Sequence, residues 1–376
     1  MPSRLTSFVP FLWTLSLLAV ALAACNPATP IPAPTETATV SPLPTKTPVA
    51  TPTVTPTPIR TPPALVAVYQ TSLLNQLDTP HTYIQEPCQL LHDKWSSTNS
   101  APGTVVMTIM FHSITRDAVT SSDQISEYYL RQLMNSLHDK GFQAITTTQL
   151  LEFMETNAKI PELSVLLVVD DRKQSVYYTT WFQEYWDEWG WPVVNAWIST
   201  DLSSADLWQQ QVDLENKGWV DHQAHGVIHN TPMWPGASDA YITNELQGSI
   251  DAFKLHFNKT PIAIIWPGGG FSPRSVEIAR QLGYRLGFTT SPRGPLMFNW
   301  VPLSDTNDPQ RPFWVPEGSV QDPLLVLPRY WDTDAILHIN DVIQVGQEAA
   351  VYAEQNKATE LEYYDIVCAS QYGSIP

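Results

Sequence analysis

Ser164-Val165-Leu166-Leu167-Val168-Val169-Asp170-Asp171 is the stretch on which the architecture turns. A short uninterrupted apolar run ended by two carboxylates is the pattern of a parallel strand covered on both faces. Upstream, Thr104–Phe111 is a second β-branched run. A helix is predicted over Asp123–Lys140, where Ile125, Tyr129, Leu133 and Leu137 fall four apart and Gly141 stands where it should stop. A short strand at Phe142–Ile145 and a helix at Thr148–Glu155 lead into the opening stretch. Downstream come a strand at Pro192–Ile198, a helix from about Ser203 to Lys217 closed by Gly218, and a strand at Trp219–Ala224. A helix follows at Tyr241–Phe257, with Leu246, Ile250, Phe253 and Phe257 on one face. A strand at Pro261–Trp266, a helix at Pro273–Leu282 ended by Gly283, and a strand at Tyr284–Thr289 complete the series. About seven strand–helix units in alternation predict a parallel α/β fold. Alternation leaves both an open doubly wound sheet and a closed barrel open. No internal repeat suggests a solenoid.

The N-terminal sixth of the chain is of another kind. Residues 1–24 carry Arg4, no acidic residue and an apolar run from Phe8 to Ala24, which reads as a signal peptide. Its end, Leu22-Ala23-Ala24-Cys25, resembles the lipobox of bacterial lipoproteins, and that resemblance implies cleavage before Cys25 and lipid attachment to it. Residues 25–64 are then a lipidated cysteine and a Pro/Thr-rich stalk, with 12 of the 33 prolines between Asn26 and Pro63. Such composition favours extended polyproline II, at ~3.1 Å per residue a reach on the order of 100 Å. Residues 65–376 form the one remaining domain. With Cys25 taken, Cys88 and Cys368 are an even pair in an exported protein. They are either a bridge tying the two ends of the domain together or two buried thiols.

Arg4, Lys46, Arg60 and Glu36 are the only charges before residue 65, so the domain keeps 17 of the 20 basic and 36 of the 37 acidic residues. That balance argues against nucleic acid or an anionic polymer as partner, and is compatible with a neutral or cationic glycan.

Active sites of parallel α/β folds gather at the carboxyl ends of strands, where Asp170 and Asp171 stand. His225 and His229, four apart after another strand, share one face of a helical turn. Two imidazoles and a carboxylate make a three-ligand metal site with a position left for water. His112 ends the first strand and so faces the same mouth, although a lone histidine is more often structural. His222 is read as supporting or bland. Of the 14 tryptophans most belong to the core; Trp234 and Trp266, near these motifs, are the two expected to touch substrate.

In this order, the residues resemble the polysaccharide deacetylases of carbohydrate esterase family four, the NodB homology domain. Val169-Asp170-Asp171-Arg172 is similar to the family's Asp-Asp-Gly motif, and His225-Gly226-Val227-Ile228-His229 to its His-x-x-x-His motif. Trp266-Pro267-Gly268-Gly269-Gly270-Phe271-Ser272-Pro273 looks like its third. Met110-Phe111-His112-Ser113 resembles the subgroup that includes poly-N-acetylglucosamine deacetylases, where the histidine motif lies at the N-terminus. The likeness covers roughly residues 104–330. It implies a distorted parallel (β/α) barrel of about seven strands and a metal-dependent hydrolase that removes N-acetyl groups from an extracellular or cell-wall polysaccharide. It makes Asp170 the general base, His112 the general acid, and Asp171, His225 and His229 the ligands of a divalent ion, Zn²⁺ by preference for a nitrogen–nitrogen–oxygen set. A monomer held to the bacterial cell membrane by lipid on Cys25 and facing away from the cytoplasm is expected.

Two departures bear on activity. Arg172 replaces the glycine after the paired aspartates, and the arginine usual in the third motif is missing; Arg172 or Arg329 stands in for it. A catalytically silent glycan-binding lipoprotein and an O-acetyl esterase are the competing readings. His338, superficially like the family's C-terminal histidine, lies on what reads as a helix and ranks below His112.

Overall fold

The computed structural model describes Arg60–Pro376 except Arg172, Asp201, Leu202, His229, Asn230 and Gln310. The signal-like segment, Cys25 and the stalk lie outside these residues. Twelve strands are described, at Asp78–His81 (β1), Val105–Phe111 (β2), Ser113–Thr115 (β3), Gln124–Ser126 (β4), Gln143–Ala144 (β5) and Leu163–Val169 (β6). Val193–Trp197 (β7), Val220–Ala224 (β8), Ala263–Ile265 (β9), Leu286–Phe288 (β10), Val301–Ser304 (β11) and Tyr330–Trp331 (β12) follow. The helices are Pro87–Trp95 (α1), Glu127–Asp139 (α2), Thr147–Thr156 (α3), Ser175–Trp181 (α4), Gln183–Trp189 (α5), Ala205–Asn216 (α6), Asp239–Phe257 (α7), Pro273–Gln281 (α8), Ala335–Val367 (α9) and Ala369–Tyr372 (α10).

The main sheet runs β10-β9-β8-β7-β6-β2-β12, with β5 also on β6, and its pairings are parallel. The two ends of that order approach each other. Leu327, just before β12, bridges Phe288 of β10, and its N–H donates to the Gly287 carbonyl. The sheet therefore curls into a distorted barrel whose seam is the segment 325–331. The tight turn of the chain at this seam leaves no room for a side chain at Gly287, where a Cβ would lie 2.2 Å from the Leu325 carbonyl oxygen.

Strand β6 shows why its sequence is apolar throughout. Val165, Leu167 and Val169 enter one hydrophobic cluster with Leu130 and Leu133 of α2 and Ile339 and Val342 of α9. Leu166 and Val168 enter another with Phe153 of α3, Leu246 and Ile250 of α7 and Val276 of α8. Period-two alternation between two buried faces removes any polar position until the strand ends.

Four helices differ from the sequence expectation. Helix α2 starts at Glu127 rather than Asp123, because Ser126 caps it by accepting from the Tyr129 N–H at 3.1 Å while Gln124–Ser126 pairs with β3. Helices α4 and α5 fill a stretch with no assigned periodicity. The 33-residue α9 buries a narrow line that includes Ala335, Ile339, Val342, Gly346, Ala349 and Ala353. Small residues on that line made its amphipathicity faint in the sequence. Cys88 of α1 and Cys368 after α9 are joined as a disulfide, Cα to Cα 5.3 Å.

Candidate active site

Alternation carries past the ends of β2 and β6. Phe111 and Val169 are register partners, and the Asp170 N–H donates to the Phe111 carbonyl at 2.8 Å. Asp170 falls on the side of Leu166 and Val168, so a carboxylate ends up 2% exposed. A buried charge requires a partner, and the seam provides one. Arg329 Nη1 and Nη2 donate to Asp170 Oδ1 and Oδ2 at 2.6 and 2.9 Å. Arg329 Nε donates to the Thr289 carbonyl at 2.8 Å, which aims the guanidinium. Burial alone would raise the Asp170 pKa; the charges of Arg329 and His112 and the Arg329 hydrogen bonds outweigh it and hold the group at about 2. Asp170 is ionised at neutral pH.

His112, the residue after β2, sets Nε2 3.7 Å from Asp170 Oδ2. Its ring stacks on the Trp331 indole, centroids 5.2 Å apart and planes 14° from parallel. Its Nδ1 is buried without a hydrogen-bond partner. Beside it stands a residue the sequence reading missed. Asp332 is fully buried, its N–H donates to the Met110 carbonyl, and neither carboxylate oxygen has a hydrogen-bond partner. Burial pushes its pKa up to about 8, the Asp170 and Asp123 charges adding and the nearby His112 and Thr333 N–H groups opposing. The signal was present in Leu324-Leu325-Val326-Leu327-Pro328-Arg329-Tyr330-Trp331-Asp332: an apolar run ended by charge, like the opening stretch, but interrupted by a proline that argues against a strand.

Asp171, with φ of 71°, turns away from Asp170 and toward β8. Its Oδ1 lies 4.0 Å from His225 Nε2. His225 is buried, and its Nδ1 donates to the Ile265 carbonyl at 2.7 Å, which leaves the Nε2 lone pair facing the carboxylate. This is the arrangement of a metal-binding imidazole with its tautomer set by a backbone acceptor. Among the described residues no group of three His, Cys, Asp or Glu side chains gathers as a ligand set. His229, the third candidate, and Arg172 lie outside them. The two donors that are described fit a divalent ion in type and orientation.

The glycines of the third motif let loops close on the site. A Cβ on Gly269 would come within 2.2 Å of Thr290 Oγ1, and one on Gly270 within 2.3 Å of Pro232 and 3.0 Å of the Trp234 ring. Thr290 in turn accepts the Trp331 indole N–H at 3.1 Å.

Residues 158–287 match the family model described as polysaccharide deacetylase. The matched stretch takes in Asp170, Asp171 and His225 and is like a polysaccharide deacetylase domain. Among curated proteins, a poly-beta-1,6-N-acetyl-D-glucosamine N-deacetylase of Escherichia coli (strain K12) is 24% identical over 202 residues, 43% of this chain and 30% of that relative. A putative polysaccharide deacetylase of Bacillus subtilis (strain 168) is 22% identical over 188 residues, 49% of this chain and 64% of that protein. The chain thus spans under a third of the first relative and under two thirds of the second. A Streptococcus pyogenes deacetylase solved with acetate superposes with a TM-score of 0.50 at 20% identity, covering 65% of this chain and 99% of that one, and shows the same fold.

The two tryptophans expected to touch substrate part company. Trp234 is half-buried, lies against Gly270 and meets Trp314 edge to face at 5.1 Å. Trp266, expected to touch substrate, does not reach it: it is fully buried, packs against Phe271, and donates its indole N–H to the Leu325 carbonyl at 2.8 Å. It follows β9 into the core and ties the seam. His338 lies on α9 between Asp334 and Asp341, each 3.9 Å away, with its side chain 38% exposed. Of the two arginines considered as partners of the base, Arg329 makes the contact.

Proposed function

We propose that this domain removes N-acetyl groups from an extracellular or cell-wall polysaccharide by metal-dependent hydrolysis. The observation that carries the reading is the pair of aspartates with divided surroundings. Asp170 is forked by Arg329 beside His112, and Asp171 faces a buried imidazole with a free lone pair. Asp171, His225 and His229 would hold a divalent ion, Zn²⁺ for preference, which when bound supplies an acidified water and polarises an amide carbonyl. Asp170, kept ionised by Arg329, accepts the proton of the attacking water. His112, 3.7 Å from Asp170, is placed to give a proton to the leaving amine, which is too basic to depart as an anion. Trp331, flat against the ring, fixes the direction of that transfer.

We infer further that the domain is exported and tethered by lipid on Cys25. The disulfide between Cys88 and Cys368 suits an oxidising compartment, and the acidic balance suits an uncharged or cationic polymer.

The test is metal content beside acetate release from N-acetylglucosamine oligomers, with an O-acetylated glycan in parallel. His225→Ala is expected to lose metal and activity together. Asp170→Asn is expected to keep the metal and lose roughly 10²-fold or more in rate. Loss of metal from Asp170→Asn would reverse the roles, and faster release from the O-acetylated glycan would make the enzyme an esterase.

A further inference from the structure

We propose that Gln211 is a positioning residue for Asp171: its side-chain amide pins the Lys173 carbonyl and so sets the turn from which Asp171 faces His225. The inference rests on the reading of Asp171 and His225 as metal ligands. Asp171 has left-handed backbone geometry, which a residue other than glycine adopts at a cost and keeps only when its surroundings hold it there. Two consecutive glutamines of α6 clasp the connection that follows. Gln210 Oε1 accepts from the Ser175 N–H and hydroxyl at 3.3 and 3.1 Å. Gln211 Nε2 donates to the Lys173 carbonyl at 3.0 Å.

Gln211 is wholly buried between Trp208 and Leu214 on the face of α6 turned to the sheet, where packing alone calls for an apolar side chain. Its hydrogen bonds account for it. A carbonyl at Lys173 can be met only by the NH₂ end of the amide, so Oε1 must face the other way. There it accepts from Asn195 Nδ2 at 3.0 Å and lies 3.0 Å from His222 Nε2. His222 Nδ1 lies 2.7 Å from Glu215 Oε2, and Lys259 pairs with the other Glu215 oxygen. Burial would raise the Glu215 pKa, but the His222 hydrogen bond and the Lys259 charge bring it down to about 2, so this end of the network stays charged. Asn195 is in register with both His222 and Val169. The network is therefore one polar row across β7 and β8 that begins at the ion pair Glu215–Lys259 and ends at the Lys173 carbonyl, two residues after Asp171.

A carboxylate ligand works only within a few tenths of an ångström of its bonding distance, and removing an outer partner of a metal ligand weakens affinity by ~10–100-fold. The test titrates the full chain, stripped of metal, with Zn²⁺ against a chromophoric chelator. Gln211→Met keeps the length and removes the donor. Gln211→Asn keeps an amide but stops a methylene short of Lys173, and retains a polar group should the methionine variant fold poorly. Both are expected to raise the Zn²⁺ Kd by ~10-fold or more, with deacetylation lost at limiting Zn²⁺, restored at saturating Zn²⁺, and KM for the glycan unchanged. Variants that bind Zn²⁺ like the wild type overturn the inference alone. Weakened binding with no recovery of activity in excess Zn²⁺ makes the role structural and overturns it also. A wild-type chain that takes up no Zn²⁺ overturns the metal reading and the inference with it.

Discussion

Arg329 grips both oxygens of Asp170, at 2.6 and 2.9 Å, across 159 residues of sequence, and both side chains are buried. Arg329 belongs to the seam segment and Asp170 follows β6, so the contact that keeps Asp170 charged also ties the seam to the interior strands of the sheet.

Arg329→Met is expected to cost on the order of 3–5 kcal/mol, because it strands a buried carboxylate, and to reduce turnover by ~10²-fold or more. The pH dependence follows from the direction of the shift. Asp170 titrates at about 2 in the folded protein against an ordinary value of 3.8, so its stabilisation is present above the ordinary value and is lost as pH falls toward the folded one. Urea denaturation from pH 7 downward should show that acid-side loss in the wild type and not in the variant, whose unpaired, buried Asp170 is relieved by protonation. Superimposable pH profiles would contradict the pairing.

Asp332 works in the opposite sense. Its folded value of about 8 lies above the ordinary 3.8, so the native protein holds a proton that the unfolded chain releases, and stability falls as pH rises between those values. Asp332→Asn removes this loss. It is expected to match the wild type near pH 4, exceed it in Tm near pH 9, and cut turnover ~10-fold by removing the protonated carboxyl group beside His112. A variant that is fully active would show that Asp332 does not act through His112.

The disulfide closes nearly the whole domain, Cys88 and Cys368 standing 280 positions apart in sequence. Its removal in a Cys88→Ala/Cys368→Ala protein is expected to cost about 2–5 kcal/mol. The site lies at the other end of the strands, so acetate release per folded molecule should be unchanged. A loss of activity larger than the loss of folded protein would place the terminal clasp in contact with catalysis.

Trp234→Ala is expected to raise KM for N-acetylglucosamine oligomers ~10-fold with little change in kcat, since an aromatic face contributes to binding a sugar ring. Trp266→Phe should instead lower Tm and spare KM, as its indole N–H serves Leu325 from inside the core. Reversed behaviour of the two would move the sugar contact to Trp266.

What the sequence by itself determined is local. Runs such as Val165–Val169, helical stripes such as Leu133 with Leu137, and stop signals such as Gly141 and Gly218 are all legible in short windows. They carry enough to place Asp170, Asp171, His112 and His225 at strand ends. Spacing also brings His225 and His229 to one short segment. The tertiary structure alone decided which distant partner each of these meets. That Arg329 reaches Asp170, that Asp332 lies beside His112, that Gln211 meets the Lys173 carbonyl, and that Trp266 faces inward while Trp234 does not, all depend on how the sheet curls and where its seam falls. Closure of a barrel is set by twist and packing summed over every strand, and no window of neighbouring residues contains that sum.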